Sequence, residues 1–297
     1  MDTHILQELA LHLNKISGKL SALQEAAGRI EARQTGAMTS EGFRVYSQWD
    51  EDGIIQNLIT KTIIPRPVFV EFGVENYEES NTRFLMINNN WSGLVLDGNP
   101  SNVANIRSQD IYWRYNLKAE CAFITRDNIN NIIADAGLQG EVGLLSVDID
   151  GNDYWVWEAI NCIRPAIVIC EYNAIFGGKA KVSIPYAPDF MRQKYHYSYL
   201  YFGASLGALC HLGKKKGYSL VTVNSGRNNA FFVRNDLLGD IPEKTAEELF
   251  QPFQFRESRN QQGQLTFLDY AQAQLLLADM PLIDVTTGEI VLFRSYL

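Results

Sequence analysis

The stretch VFVEFGVENYEESNT, residues 68–82, decides the fold class. It opens as an apolar, β-rich run and closes on Glu71 and Gly73, as a strand that meets a nucleotide-like ligand does. Five similar runs follow downstream, GLVLD, IYWRYN, GLLSVDI, AIVICEY and SLVTV, with NAFFVR last. Helical stretches such as TRDNINNIIADAG and GNDYWVWEAINCI lie between them. Strands that are apolar throughout, rather than alternating, suit a parallel sheet covered on both faces. The expected fold is a doubly wound α/β domain whose ligands gather at the carboxyl ends of the strands. GYSLVTVNSGRNNAFFVR differs: a short Asn/Gly-rich turn joins two strands and predicts a closing hairpin.

Working outward, 297 residues are enough for one sizeable core with smaller attachments. A net charge of −8 argues against general binding to nucleic acid or anionic membranes. No apolar run approaches the roughly 20 residues that span a bilayer, and the start does not read as a secretory signal. Cys121, Cys162, Cys170 and Cys210 lack CxxC spacing and read as buried free thiols of a reducing cytoplasm.

Residues 1–34 carry a repeat of their own. Leu9, Ile16, Leu23 and Ile30 share one heptad position; Leu6, Leu13, Leu20 and Ala27 share the other. A 3–4 alternation over about four heptads predicts a coiled coil that self-associates through residues 6–30. Gly18 and Gly28 weaken the helix, and an amphipathic helix lying on the protein's own surface is the alternative. RQTGAMTSEG reads as a linker to an α/β domain over 41–240, and 241–297 as an extension of one or two helices and a hairpin.

The loop after the first strand narrows the ligand. A dinucleotide site places glycines where their amides can cradle a pyrophosphate, but here Glu75 and Glu78 follow Gly73, with Glu79 beside them. Acidic side chains repel phosphate, which disfavours NAD and ATP. S-adenosylmethionine carries no phosphate, has a cationic sulfonium and exposes two ribose hydroxyls. Glu71 would face its methionine end, and the amides of the next helix its carboxylate. Asp97, ending the second strand, occupies the position of a ribose-holding acid.

The later strands add further acids. Asp148 and Asp150 alternate at the end of LLSVDID, Asp153 begins the next helix, and Glu171 and Asn173 end the fifth strand. Converging carboxylates permit two readings. One is a general base whose pKa a like-charged neighbour raises. The other is a Mg2+ site of hard oxygen ligands that activates a hydroxyl.

These segments together resemble FkbM-type S-adenosylmethionine-dependent methyltransferases. The resemblance runs through YSQWDEDGII (46–55), FVEFGVENYEESNT, WSGLVLDGNPSN, LLSVDIDGNDYWVW, IVICEYN and GRNNAFFVR, in that order. It implies a class I methyltransferase fold, seven strands with the last antiparallel. It also implies cofactor contacts at Gln48, Glu71, Gly73, Ser80, Asn81, Asp97, Gly98 and Asn99, with Asp148 between cofactor and acceptor. The longer, more acidic first loop and Asp150 in place of a common Glu are departures. Similarity to metal-dependent O-methyltransferases of the macrocin and catechol types implies a divalent metal on Asp148, Glu171 and Asn173. The family's acceptors imply a sugar hydroxyl.

Acceptor contacts are sought in the aromatic-rich segment YAPDFMRQKYHYSYLYFGASLGAL, where Tyr195, Tyr199, Tyr201 and Phe202 read as sugar platforms or as lid packing. His196 is a candidate base and Ser205 a helix cap. Arg256, Glu257 and Arg259 read as a solvated charge cluster. The expected activity is O-methyl transfer with Asp148, Asp150 and His196 as the catalytic candidates. The rivals are a non-catalytic oligomeric scaffold and a nucleotide-dependent oxidoreductase.

Overall fold

Residues 3–34, 42–254 and 256–297 are described by the computed structural model. In chain order these are α1 (Thr3–Gln34), α2 (Glu51–Lys61), β1 (Val68–Phe72), α3 (Arg83–Asn89), β2 (Ser92–Asp97), α4 (Pro100–Ser108), α5 (Asp110–Arg114) and β3 (Leu117–Cys121). There follow α6 (Ile129–Asp135), β4 (Gly140–Val147), α7 (Asp153–Ala159), β5 (Ile163–Glu171), β6 (Val182–Ser183), α8 (Arg192–Tyr195) and α9 (Leu206–Lys216). The chain closes with β7 (Tyr218–Val223), β8 (Asn229–Arg234), α10 (Ala246–Leu249), α11 (Tyr270–Leu277), β9 (Pro281–Asp284) and β10 (Ile290–Leu292).

Seven strands pair in the order β3-β2-β1-β4-β5-β8-β7. The first five run parallel, and β8 lies antiparallel to both β5 and β7. This is the doubly wound sheet with a closing hairpin that the strand pattern predicts, in the class I methyltransferase arrangement that the family resemblance implies. Each face buries its own core because the strands are apolar on both sides. Val68, Val70 and Phe72 pack with Ile133, Trp157 and Leu209 of α6, α7 and α9. Phe69 packs on the other face with Ile55, Leu85 and Ile106 of α2, α3 and α4. The order reverses beside β1, so the crevice opens between the carboxyl ends of β1 and β4.

One strand differs from expectation. IYWRYN, residues 111–116, is mostly helix α5, and the edge strand is the next segment, LKAEC. Ile111 alone of α5 is buried, and Arg114 pairs with Asp110 one turn back. The true strand buries only Leu117 and Ala119, so Lys118 and Glu120 disguise it as a polar stretch.

The heptad segment is helical along the whole of α1, and its Leu/Ile stripe is exposed. The opposite face meets the body: Gly28 is buried where a Cβ would strike Val45, and Ala32 packs against Phe43, Val45 and Phe84. Most of the linker, residues 35–41, lies outside the described residues. At the other end, β10-β9-β6 form a small sheet whose core includes Phe176, Phe190, Leu200, Leu277 and Phe293. No helix among the described residues is long and apolar enough to cross a membrane. All four thiols are free, but only Cys170 is buried and Cys121 is exposed, against the uniformly buried expectation.

Candidate active site

The crevice holds two adjoining cavities. The larger, about 310 Å3, lies against Gln48, Glu71, Asn81, Asp148, Glu171 and Phe202. The smaller, about 220 Å3, lies against Asp97, Gly98, Phe123 and Ile149 and shares Gly73, Glu75, Asp148 and Asp150 with the first. A roomier apolar cavity of about 530 Å3, between α2 and β7, is lined by Ile54, Leu58, Lys61 and Val221 and holds none of the candidate acids.

The entry wall is built by three successive acids of YSQWDEDGII. Asp52 accepts the backbone amides of Val45, Tyr46 and Ser47 at 2.7, 2.7 and 2.9 Å. Glu51 accepts from Trp49 N and from the side-chain amides of Asn224 and Asn229. Asp50 accepts both from the amide and from the hydroxyl of Ser225. The turn so fixed presents exposed Gln48 to the larger cavity. Burial pushes Asp52 up to about 6, against the pull of those amides.

The loop after β1 has a different logic from a phosphate cradle. Gly73 N donates to Leu96 O at 2.9 Å, Tyr77 N to Val74 O at 2.7 Å, and Ser80 N to Tyr46 O at 3.1 Å. Glu75 N donates to Asp97 Oδ2 at 2.8 Å and Glu78 N to Asn76 Oδ1 at 3.1 Å. Asn81 N and Thr82 N both donate to Glu71, at 2.8 and 3.1 Å, and the Thr82 hydroxyl joins them. Seven of the ten amides from Gly73 to Thr82 are thus committed within the chain.

Two expectations change here. Glu71 lines the larger cavity, where the sequence pattern aims it at a ligand's cationic end, and its carboxylate also gathers the amides that precede α3, because a buried carboxylate needs donors. Those amides are therefore not free to meet a ligand carboxylate. Burial raises Glu71 to about 7. Gly73, at φ +70, makes room for the protein rather than for a ligand, since a Cβ there would collide with the Asp148 carbonyl. Of the loop acids, all exposed, Glu79 pairs with Arg44, while Glu75 and Glu79 reach the cavity mouth and Glu78 does not.

Asp97 ties two strand ends together. Besides Glu75 N, it accepts Asn99 N at 2.7 Å and Asn102 Nδ2 at 3.0 Å, which leaves about one of a carboxylate's four acceptor positions for a ligand. Gly98 lines the smaller cavity, and Asn99 caps α4 by accepting from Ser101 N. Ser80 and Asn81 line the larger one, where Asn81 Nδ2 reaches Ser146 Oγ at 3.1 Å.

Asp148, Asp150 and Glu171 meet across the ends of β4 and β5, with one oxygen of each within 4.8 Å of the others. Asp148 and Glu171 are pushed well above the carboxylate range. Burial is the first cause for both, followed by the charge of Asp150 on Asp148 and of Asp148 on Glu171. Glu171 Oε2 has no hydrogen-bond partner among the described residues. Asp153 secures the turn between them, accepting from Ile149 N at 2.8 Å and Gly151 N at 2.9 Å. Burial raises it to about 6.

Asn173 lines the same cavity, with its side chain engaged in the protein. Its Oδ1 accepts Ile175 N at 3.0 Å, and its Nδ2 donates to the carbonyls of Leu200 and Phe202 at 2.8 and 3.0 Å, which pins the covering segment. Asp150 adds a third carboxylate to Asp148 and Glu171. His196 stands apart from the cavity. Its Nδ1 bonds Ser198 Oγ at 2.7 Å, its ring stacks on Tyr197, and burial lowers its pKa. Tyr195 packs on Phe190, Tyr199 lies under Arg259, and Tyr201 donates to Pro281 O, so these aromatics pack the lid. Phe202 alone of the four reaches the cavity. Ser205 caps α9 by accepting from Ala208 N.

Two charged residues were not expected in the site. Arg192 donates to Asp150 Oδ1 at 2.6 Å, stands over the Phe202 ring at 5.1 Å, and lies 3.9 Å from Glu257. Its side chain is 17% exposed, and with Glu257 it walls the side of the cavity away from β1. Arg256 and Arg259 instead bond the carbonyls of Phe267 and Gly263.

No protein-family model and no curated protein matches the chain. Among solved structures it is similar to the O-methyltransferase from Bacillus cereus in complex with S-adenosylhomocysteine, at 12% identity and TM-score 0.39, over 69% of this chain and 89% of that one. It is also similar to an S-adenosylmethionine-dependent methyltransferase from Clostridium acetobutylicum, at 9% identity and TM-score 0.39, over 64% and 92%. It spans only 59% of the mitomycin 7-O-methyltransferase MmcR, at 11% identity and TM-score 0.36 over 78% of this chain. At such identities the likeness concerns the fold alone.

Proposed function

We propose that the chain is an S-adenosylmethionine-dependent O-methyltransferase of the FkbM type. Its acceptor is a sugar hydroxyl of a surface polysaccharide, glycolipid or glycosylated metabolite. It works as a homo-oligomer held by residues 6–30, and its free thiols are in keeping with a cytoplasmic setting. One observation carries this reading: acids end β1, β2, β4 and β5 around joined cavities, while the loop amides that could cradle a phosphate already donate elsewhere. A phosphate-free cofactor with ribose hydroxyls and a positive charge suits that lining; a dinucleotide does not.

The cofactor would lie with its ribose at Asp97 and its methionine end toward Gln48, Ser80 and Asn81, and when bound it supplies an electrophilic methyl group. The chain's own work is to hold the acceptor hydroxyl and take its proton. Asp148 and Glu171 suit that task, because burial and mutual repulsion raise their basicity above that of an ordinary carboxylate. Phe202 offers an aromatic face for a sugar ring. Calorimetric titration with S-adenosylhomocysteine tests the proposal. Binding supports an enzyme, and absence of binding favours the scaffold.

A second reading rests on the oxygen set of Asp148, Asp150 and Glu171, which would hold Mg2+ to orient and acidify the hydroxyl. Arg192 already neutralises Asp150, so a metal would have to displace it. Full turnover after thorough chelation removes the metal reading; loss restored by Mg2+ favours it.

A further inference from the structure

α1 has two faces with different destinations. Ser21, Glu25, Gly28 and Ala32 lie on the body side: Tyr46 Oη donates to Glu25 Oε1 at 2.7 Å, and Gly28 sits against Val45 and Phe84. On the other side Leu6, Leu9, Leu13, Ile16, Leu20, Leu23 and Ile30 are 46–67% exposed. At 1.5 Å per residue this stripe runs roughly 36 Å, longer than the scattered apolar residues a monomer ordinarily exposes.

The spacing fixes the heptad letters. Leu6, Leu13, Leu20 and Ala27 are a positions, and Leu9, Ile16, Leu23 and Ile30 are d positions, because each a precedes its d by three residues. The body then occupies the b and f positions, which face outward in a bundle of any order. Docking and self-association therefore do not compete for surface.

We propose that α1 joins three or four copies of this chain in one helical bundle, an inference that rests on the self-association through residues 6–30. Two-stranded coils favour β-branched residues at a and Leu at d. This helix has the reverse: no β-branched residue at a, and Ile at two of four d positions. Leu at a with Ile at d shifts the preference to three or four strands. The flanks agree. The e positions Ala10, Ser17, Gln24 and Glu31 and the g positions His12, Lys19 and Ala26 offer no opposite-charge g-to-e pair to specify a dimer. Three of those e residues are uncharged, as the wider interface of a larger bundle requires.

Light scattering during size exclusion of the full chain tests this. Three or four times the chain mass is expected across the low micromolar range. A dimer overturns the order but leaves self-association intact; a monomer at every concentration overturns both. The double variant Leu13→Glu/Leu20→Glu should run as a monomer with unchanged affinity for S-adenosylhomocysteine. Exchanging the layers, with Ile at 6, 13 and 20 and Leu at 16 and 30, should reduce the assembly to a dimer. An unchanged mass for that exchange contradicts the packing argument.

Discussion

At the scale of single residues, the site depends on acids whose surroundings differ. Asp97 keeps about one acceptor position, which the proposed function gives to a ribose hydroxyl. A charge-assisted bond there contributes about 1.5–3 kcal/mol, so Asp97→Ala should weaken S-adenosylhomocysteine binding by roughly 10- to 100-fold in calorimetry. Unchanged affinity would remove Asp97 from the site. Asp148→Asn should lower turnover by about 10²- to 10⁴-fold, the usual contribution of a positioned base. The same variant relieves the crowding of Asp148 with Asp150 and Glu171 and should raise the melting temperature. Wild-type turnover in Asp148→Asn would sink the base assignment. The strand-end acids were legible in the sequence because the strand pattern itself places Asp97, Asp148 and Glu171 at one edge. The partners of Asn173 and His196, the carbonyls of Leu200 and Phe202 and the Ser198 hydroxyl, are visible only in three dimensions, and of the two only Asn173 lines the cavity. Arg192 escaped notice for a related reason, and Glu257 reads in the sequence as part of a solvated charge cluster. Arg192 meets an aspartate 42 residues away from an irregular covering segment with no period to follow.

At the scale of elements, the β1 loop is held by β2 through Asp97 and by its own strand through Glu71, and at Gly73 it runs close against the Asp148 carbonyl beyond β4. Gly73→Ala should therefore destabilise the protein by about 2 kcal/mol or more in urea unfolding, since overpacking and an unfavourable φ add. It should also weaken cofactor binding. A variant as stable as wild type would mean that the β1 and β4 ends part easily. Alternation and apolar runs predicted six of the seven main-sheet strands, and they failed at β3, an edge strand with polar outward residues. The heptad predicted the exposed stripe of α1 but not the docking face, where the contacts include Gly28, Ala32 and a Tyr46–Glu25 hydrogen bond.

At the scale of the whole molecule, the buried acids set the pH behaviour. Glu71 rises from 4.5 to about 7, and Asp52 and Asp153 rise from 3.8 to about 6. Groups with raised folded-state pKa values keep protons that the unfolded chain has lost. Their stabilisation is full below the unfolded values and is lost as pH rises through about 6 for the two aspartates and about 7 for Glu71. The melting temperature should fall between about pH 4 and pH 7, as the pH passes from the unfolded to the folded values of these three acids. A flat melting profile would show that these acids are not buried in solution. The net charge of −8 and the acidic crevice together select against phosphate-bearing ligands. The most direct test is calorimetric titration of the full chain with S-adenosylhomocysteine and, separately, with NAD. The account predicts one S-adenosylhomocysteine per chain and no measurable NAD binding; NAD binding without S-adenosylhomocysteine binding would contradict it.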